Sequence, residues 1–70
     1  MIVVDWDEAW NVRVGDRVRG RGIGTVVDLH RDRASGYVTY DNPQINRGER
    51  VIAGRRVLCV RQPVDHLQRL

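Results

Sequence analysis

The stretch Val14-Gly15-Asp16-Arg17-Val18-Arg19-Gly20-Arg21-Gly22-Ile23-Gly24-Thr25-Val26-Val27 decides the fold class of this 70-residue chain. Gly15-Asp16 is a turn pair, and Arg17-Val18-Arg19 alternates polar and apolar as a half-buried strand does. Three glycines then interrupt the chain at every second position, at 20, 22 and 24. Glycine at this density inside β structure marks a place where the backbone bends sharply or another chain segment comes close. Thr25-Val26-Val27-Asp28-Leu29-His30 follows as a second strand rich in β-branched residues.

Outward from this opening the punctuation stays regular. Arg31-Asp32-Arg33-Ala34-Ser35-Gly36 reads as a polar hairpin loop and Tyr37-Val38-Thr39-Tyr40 as a third strand. Asp41-Asn42-Pro43 breaks that strand, and a loop runs on to about Gly48. Arg50-Val51-Ile52-Ala53 is a fourth strand closed by Gly54, and Arg56 to Arg61 a fifth, apolar enough for burial on both faces. Pro63 ends it, because proline cannot donate to a ladder. Val64 to Leu70 reads as a short 3₁₀ or helical turn, with Leu67 or Leu70 packed back on the domain. Residues 1–11 form an N-terminal arm, with a helical turn at Asp7–Trp10, and residues 12–70 form the domain. Five short strands with closely spaced turns predict an all-β fold, a small five-stranded barrel.

The segments Val14-Gly15-Asp16-Arg17-Val18-Arg19 and Gly22-Ile23-Gly24-Thr25-Val26-Val27 resemble the opening of bacterial SH3-like modules of the KOW and Tudor-like kind. Such modules occur in transcription factors and at the C-termini of some helicases. Tyr37-Val38-Thr39-Tyr40-Asp41 and Val64-Asp65-His66-Leu67 are similar to the later strand and the closing turn of that pattern, so the resemblance spans roughly residues 12–70. It implies an SH3-like barrel that binds DNA, RNA, peptides or proteins. The arm and the long Asp41–Gly48 loop depart from the pattern, and no binding residue is carried over from it.

Composition narrows the function classes. Seventy residues suffice for one domain and not for two. All twelve basic residues are arginine, which fits the coding bias of a GC-rich genome, actinobacterial or phage. Arginine also contacts phosphates and carboxylates bidentately, as lysine cannot. The net charge of +3 is unevenly placed: residues 1–11 carry Asp5, Asp7 and Glu8 (−3), and residues 12–70 carry twelve arginines against six acids (+6). The lone Cys59 lies in an apolar run and reads as a buried, reduced thiol. No apolar run reaches the ~20 residues of a membrane span, and the N-terminus does not read as a signal peptide. The expectation is a soluble, cytoplasmic protein with no membrane partner.

Two candidate surfaces emerge. Arg13, Arg17, Arg19 and Arg21 share parity opposite Val14 and Val18, Arg31 and Arg33 occupy the next loop, and Arg47 and Arg50 flank the long one. Arg17, Arg19, Arg21, Arg31 and Arg33 are the candidate phosphate contacts, with Tyr37 as a base-stacking platform. The same spacing suits a solvated face neutralised in part by Asp16, Asp28 and Asp32. Tyr40 shares parity with Val38 and is expected inside. Trp6 and Trp10, four residues apart, would lie side by side on one helical turn and are the candidate protein-binding pair, or else close the core. Catalysis has little support. His30 and His66 lack partners at metal-ligand spacing, Ser35 stands alone, and the glycine run lacks the Lys-Ser/Thr of a phosphate loop. The expectation is therefore a non-catalytic binding module without cofactor or small-molecule substrate. A nucleic-acid-associated role through the arginine face stands beside a protein-interaction role, such as a bacterial or phage regulator docking on RNA polymerase, and beside a structural role in a virion or complex.

Overall fold

A computed structural model describes residues 12–70; the arm and helical turn expected from sequence, with Trp6 and Trp10, lie outside the described residues, as does the side chain of Arg31. The described residues are all-β, with six strands: β1 (Arg17–Arg19), β2 (Ile23–His30), β3 (Ser35–Tyr40), β4 (Gly48–Ile52), β5 (Arg55–Pro63) and β6 (Gln68–Arg69). Three 3₁₀ turns join them, at Arg31–Arg33, Pro43–Ile45 and Val64–His66. The strands form one antiparallel sheet in the order β4-β5-β3-β2-β1-β6. No ladder joins β4 to β6 among the described residues, so the sheet is open where a closed five-stranded barrel is expected from sequence.

The sixth strand corrects the reading of the tail. The 3₁₀ turn lies where expected, and Leu67 packs in the core, but Gln68 and Arg69 then extend and pair with Arg19 and Val18. The Leu70 amide adds a bond to the Arg17 carbonyl, 2.9 Å. Leu70 itself is exposed.

The core lies on one face of the sheet. Val18, Val26, Val38 and Tyr40 are buried there with Val12, Val64 and Leu67, and Leu29, Ile45 and Val60 pack against them. A β-bulge makes this possible. The β2–β3 register jumps from Val26↔Val38 to Asp28↔Tyr37, which leaves Val27 as the extra residue. Without it, Asp28 would share the inner face with Val26; with it, Asp28 turns outward and Leu29 turns in. Strand parity also fails at Val14, which is 57% exposed. Gly15 adopts φ +97°, and the Asp16 carboxylate accepts the Arg13 amide at 2.9 Å, so a tight turn separates Val14 from the strand. Val12 supplies the buried side chain instead.

The glycine run has a spatial cause. A Cβ on Gly20 would run into the Tyr40 hydroxyl, and one on Gly24 would lie 2.7 Å from the Thr39 carbonyl oxygen. The β1–β2 turn is thus pressed against the end of β3, where the aromatic Tyr40 is buried.

Candidate functional site

Tyr40 organises one end of the sheet. Its hydroxyl accepts the Arg21 amide at 3.1 Å and donates to the buried Gln62 side-chain oxygen. Its backbone is gripped from the other side by Asn46, whose oxygen accepts the Tyr40 amide at 2.8 Å while its NH₂ donates to the Tyr40 carbonyl at 3.0 Å. Asn46 thereby imitates a neighbouring strand and folds the 41–47 loop back over the sheet end. Asn42 caps the 3₁₀ turn within that loop, accepting the Gln44 amide at 3.2 Å.

Between this loop and the β1–β2 turn lies a groove of about 460 Å³, lined by Arg21 on one side and by Asn42, Gln44, Ile45 and Arg47 on the other. Arg21 and Arg47 are exposed, and neither has a carboxylate partner among the described residues. The carboxylate next in sequence to the groove, Asp41, is engaged elsewhere. Both its oxygens accept from the Arg17 guanidinium (Nη1–Oδ1 2.8 Å), and Arg17 also donates to Thr25 at 3.0 Å. That bidentate bond holds the Asp41 carboxyl below its ordinary range, so it stays charged and bound to Arg17. The groove's two guanidiniums are left unneutralised beside two side-chain amides. This is a donor-rich surface suited to an anion.

The sequence-predicted arginines do not form one stripe. Arg19 and Arg21 lie near the groove end, and Arg17 is committed to Asp41 and Thr25. Arg31 and Arg33 occupy the 3₁₀ turn after β2. The eight-residue β2 separates the two ends by roughly 25 Å at ~3.3 Å per residue. Arg47, placed at the edge of the long loop in sequence, is the one that joins Arg21.

Tyr37 is half-buried on the outer face, opposite Asp28 on β2 and Arg61 on β5. The Arg50 guanidinium lies 4.1 Å from the centre of its ring and donates to Asp28 at 2.8 Å. Asp28 raises the Arg50 pKa through that bond. One side of the proposed stacking platform is therefore already occupied by a cation, in a geometry that aromatic faces favour. Beside it, Tyr37, Gly48, Glu49, Cys59 and Arg61 line a shallower groove of about 250 Å³. Cys59 is buried, and desolvation pushes its thiol pKa up, so the thiol is held in its unreactive protonated form.

Sequence reasoning missed the far half of the β4–β5 hairpin. Arg56 to Arg61 is not buried on both faces: Leu58 is 55% exposed, and across the hairpin Val51 is 65% exposed. No period-two signal marks it, because Val57, Leu58 and Cys59 are all apolar, and only the pairing with β4 shows which of them is covered. His30 Nδ1 is buried without a hydrogen-bond partner among the described residues. Among the described residues no helix is long and apolar enough to cross a membrane, and no group of three or more His, Cys, Asp or Glu is disposed to hold a metal ion.

Comparison of the chain with known protein families, with curated proteins and with solved structures finds no match.

Proposed function

We propose that this protein is a non-catalytic, nucleic-acid-associated binding module whose contact centre is the groove between Arg21 and Arg47. The carrying observation is the charge arrangement at that groove. Two exposed arginines and two amides line it, while the adjacent carboxylate is drawn off by Arg17. A phosphodiester backbone supplies the matching acceptors, and arginine forks bind it bidentately. Across the rest of the domain Arg19, Arg33, Arg55, Arg61 and Arg69 also lack a carboxylate partner among the described residues, which gives the backbone further contacts along its path. The likeness to SH3-like modules belongs to this reading. Its support is a three-strand meander followed, after β5, by a 3₁₀ turn and a short strand that returns to β1.

The test is anisotropy titration of fluorescein-labelled 20-mer single-stranded DNA, duplex DNA and RNA with the full chain. Arg21→Ala/Arg47→Ala is expected to weaken binding by about tenfold or more, whereas Arg33→Ala, at the far end of β2, costs far less. Equal losses from both variants would mean that net charge, and not the groove, carries binding.

A further inference from the structure

The β4–β5 hairpin leaves the sheet. β3 pairs with β5 only at Val60 to Pro63, so from Cys59 back to Arg55 the fifth strand has its ladder with β4 alone, over the pairs Gly48↔Cys59, Glu49↔Leu58, Arg50↔Val57, Val51↔Arg56 and Ile52↔Arg55, and its last tie to β3 is the Thr39 hydroxyl, which donates to the Leu58 carbonyl at 2.8 Å. Five pairs at ~3.3 Å per residue make a two-stranded ribbon about 13 Å long. Its angle to the domain is fixed at mid-length by Arg50, which is tied to Asp28 and laid over Tyr37. Beyond Arg50 the ribbon stands clear: a Cβ at Gly54 would meet nothing within 4 Å.

The tip is built narrow and cationic. Ala53 and Gly54 both adopt positive φ (51° and 77°), a two-residue turn of the kind that matches strand twist, and neither carries more than a methyl group. Arg55 and Arg56 follow at once. Because successive side chains alternate, Arg55 shares a face with Ile52 and Arg56 the opposite face with Val51. The tip from Val51 to Arg56 holds no acid. The nearest carboxylate, Glu49, reaches Arg56 at only 3.6 Å, and the Arg56 side chain remains 81% exposed.

We infer that this ribbon enters the major groove of duplex DNA, with Arg55 directed to one wall and Arg56 to the other. The inference rests on the nucleic-acid reading above and names its substrate class. The major groove of B-DNA, about 12 Å wide and 8.5 Å deep, admits a two-stranded ribbon, and thymine methyl groups offer apolar partners for the exposed Val51 and Leu58. The deep, narrow major groove of duplex RNA excludes such a ribbon, and a single strand presents no groove at all.

The test titrates the full chain against a 20-bp duplex DNA of mixed sequence, the duplex RNA of the same sequence and the single DNA strand. Wild type is compared with Arg55→Ala/Arg56→Ala and with Arg21→Ala/Arg47→Ala, each first checked for an unchanged circular dichroism spectrum and melting temperature. The ribbon variant is expected to lose about tenfold or more on duplex DNA and less than about threefold on the other two probes. A loss shared equally by all three probes, or none on duplex DNA, overturns the inference. If the groove variant loses affinity while the ribbon variant does not, the nucleic-acid reading stands and the ribbon inference alone falls. If wild type binds none of the probes, both fall. A monomer–dimer equilibrium abolished by Val51→Ser/Leu58→Ser, with DNA affinity unchanged, assigns the ribbon to a second copy of the chain and also overturns the inference.

Discussion

Removing the Tyr40 hydroxyl alone tests the link between the core and the groove. Tyr40→Phe leaves the ring in place and deletes one oxygen that accepts the Arg21 amide and donates to Gln62. Gln62 is only 8% exposed, so its side-chain oxygen would be left buried without its partner, a cost of about 1–3 kcal/mol. A domain of this size has a total stability of only roughly 4–10 kcal/mol. With a urea m-value of about 1 kcal/mol/M, the unfolding midpoint falls by roughly 1–3 M, measured by circular dichroism at 25 °C. The control decides the cause. In Tyr40→Phe/Gln62→Leu both members of the buried pair are apolar, only the part-buried Arg21 amide still lacks its acceptor, and most of the lost stability returns. Two additive losses in the double variant would refute the reasoning, because the cost would then lie in packing and not in the bond. The Tyr40→Phe change also frees the amide of Arg21, so at temperatures where the variant remains folded its anion affinity should fall as well.

Two further outcomes follow from geometry. Gly24→Ala drives a Cβ to within 2.7 Å of the Thr39 carbonyl and should cost about 1–3 kcal/mol by thermal unfolding, while Gly54→Asn, at a positive φ in open space, stays near neutral. Asp41→Asn probes the Arg17 pair by pH: the Asp41 carboxyl pKa is lowered in the folded chain from 3.8, so its contribution is fully present above that value and is lost as pH falls through the lower folded value. Acid unfolding of wild type should therefore lose a component that Asp41→Asn lacks, and superimposable pH profiles for the two would refute this.

Much of the fold was legible because its strands obey period two and its turns use glycine, proline and asparagine. Tyr40 reads as buried from its parity with Val38, and it is. What escaped has identifiable physical reasons. The Gln68–Arg69 strand is too short and polar to carry a pattern, and only its pairing with β1 makes it a strand. The bulge at Val27 reverses parity in mid-strand, and the left-handed Gly15 does the same before β1, so the count from Val18 back to Val14 gives the wrong face. At the site, four odd-numbered arginines looked equivalent. The pairing that separates them, Arg17 with Asp41, spans 24 residues and depends on β3 lying two strands from β1. The partnership of Arg21 with Arg47 depends in turn on Asn46 folding its loop onto Tyr40.

An anion-binding groove that serves a nucleic-acid partner must show itself in the salt dependence of binding. Affinity of the full chain for labelled nucleic acid is measured from about 50 to 200 mM salt, for wild type and for Arg21→Ala/Arg47→Ala. Log affinity is expected to fall linearly with log salt for wild type, with a slope shallower by about two in the variant, one for each phosphate that an arginine no longer neutralises. A wild-type affinity indifferent to salt, or a slope unchanged when both groove arginines are removed, would contradict it.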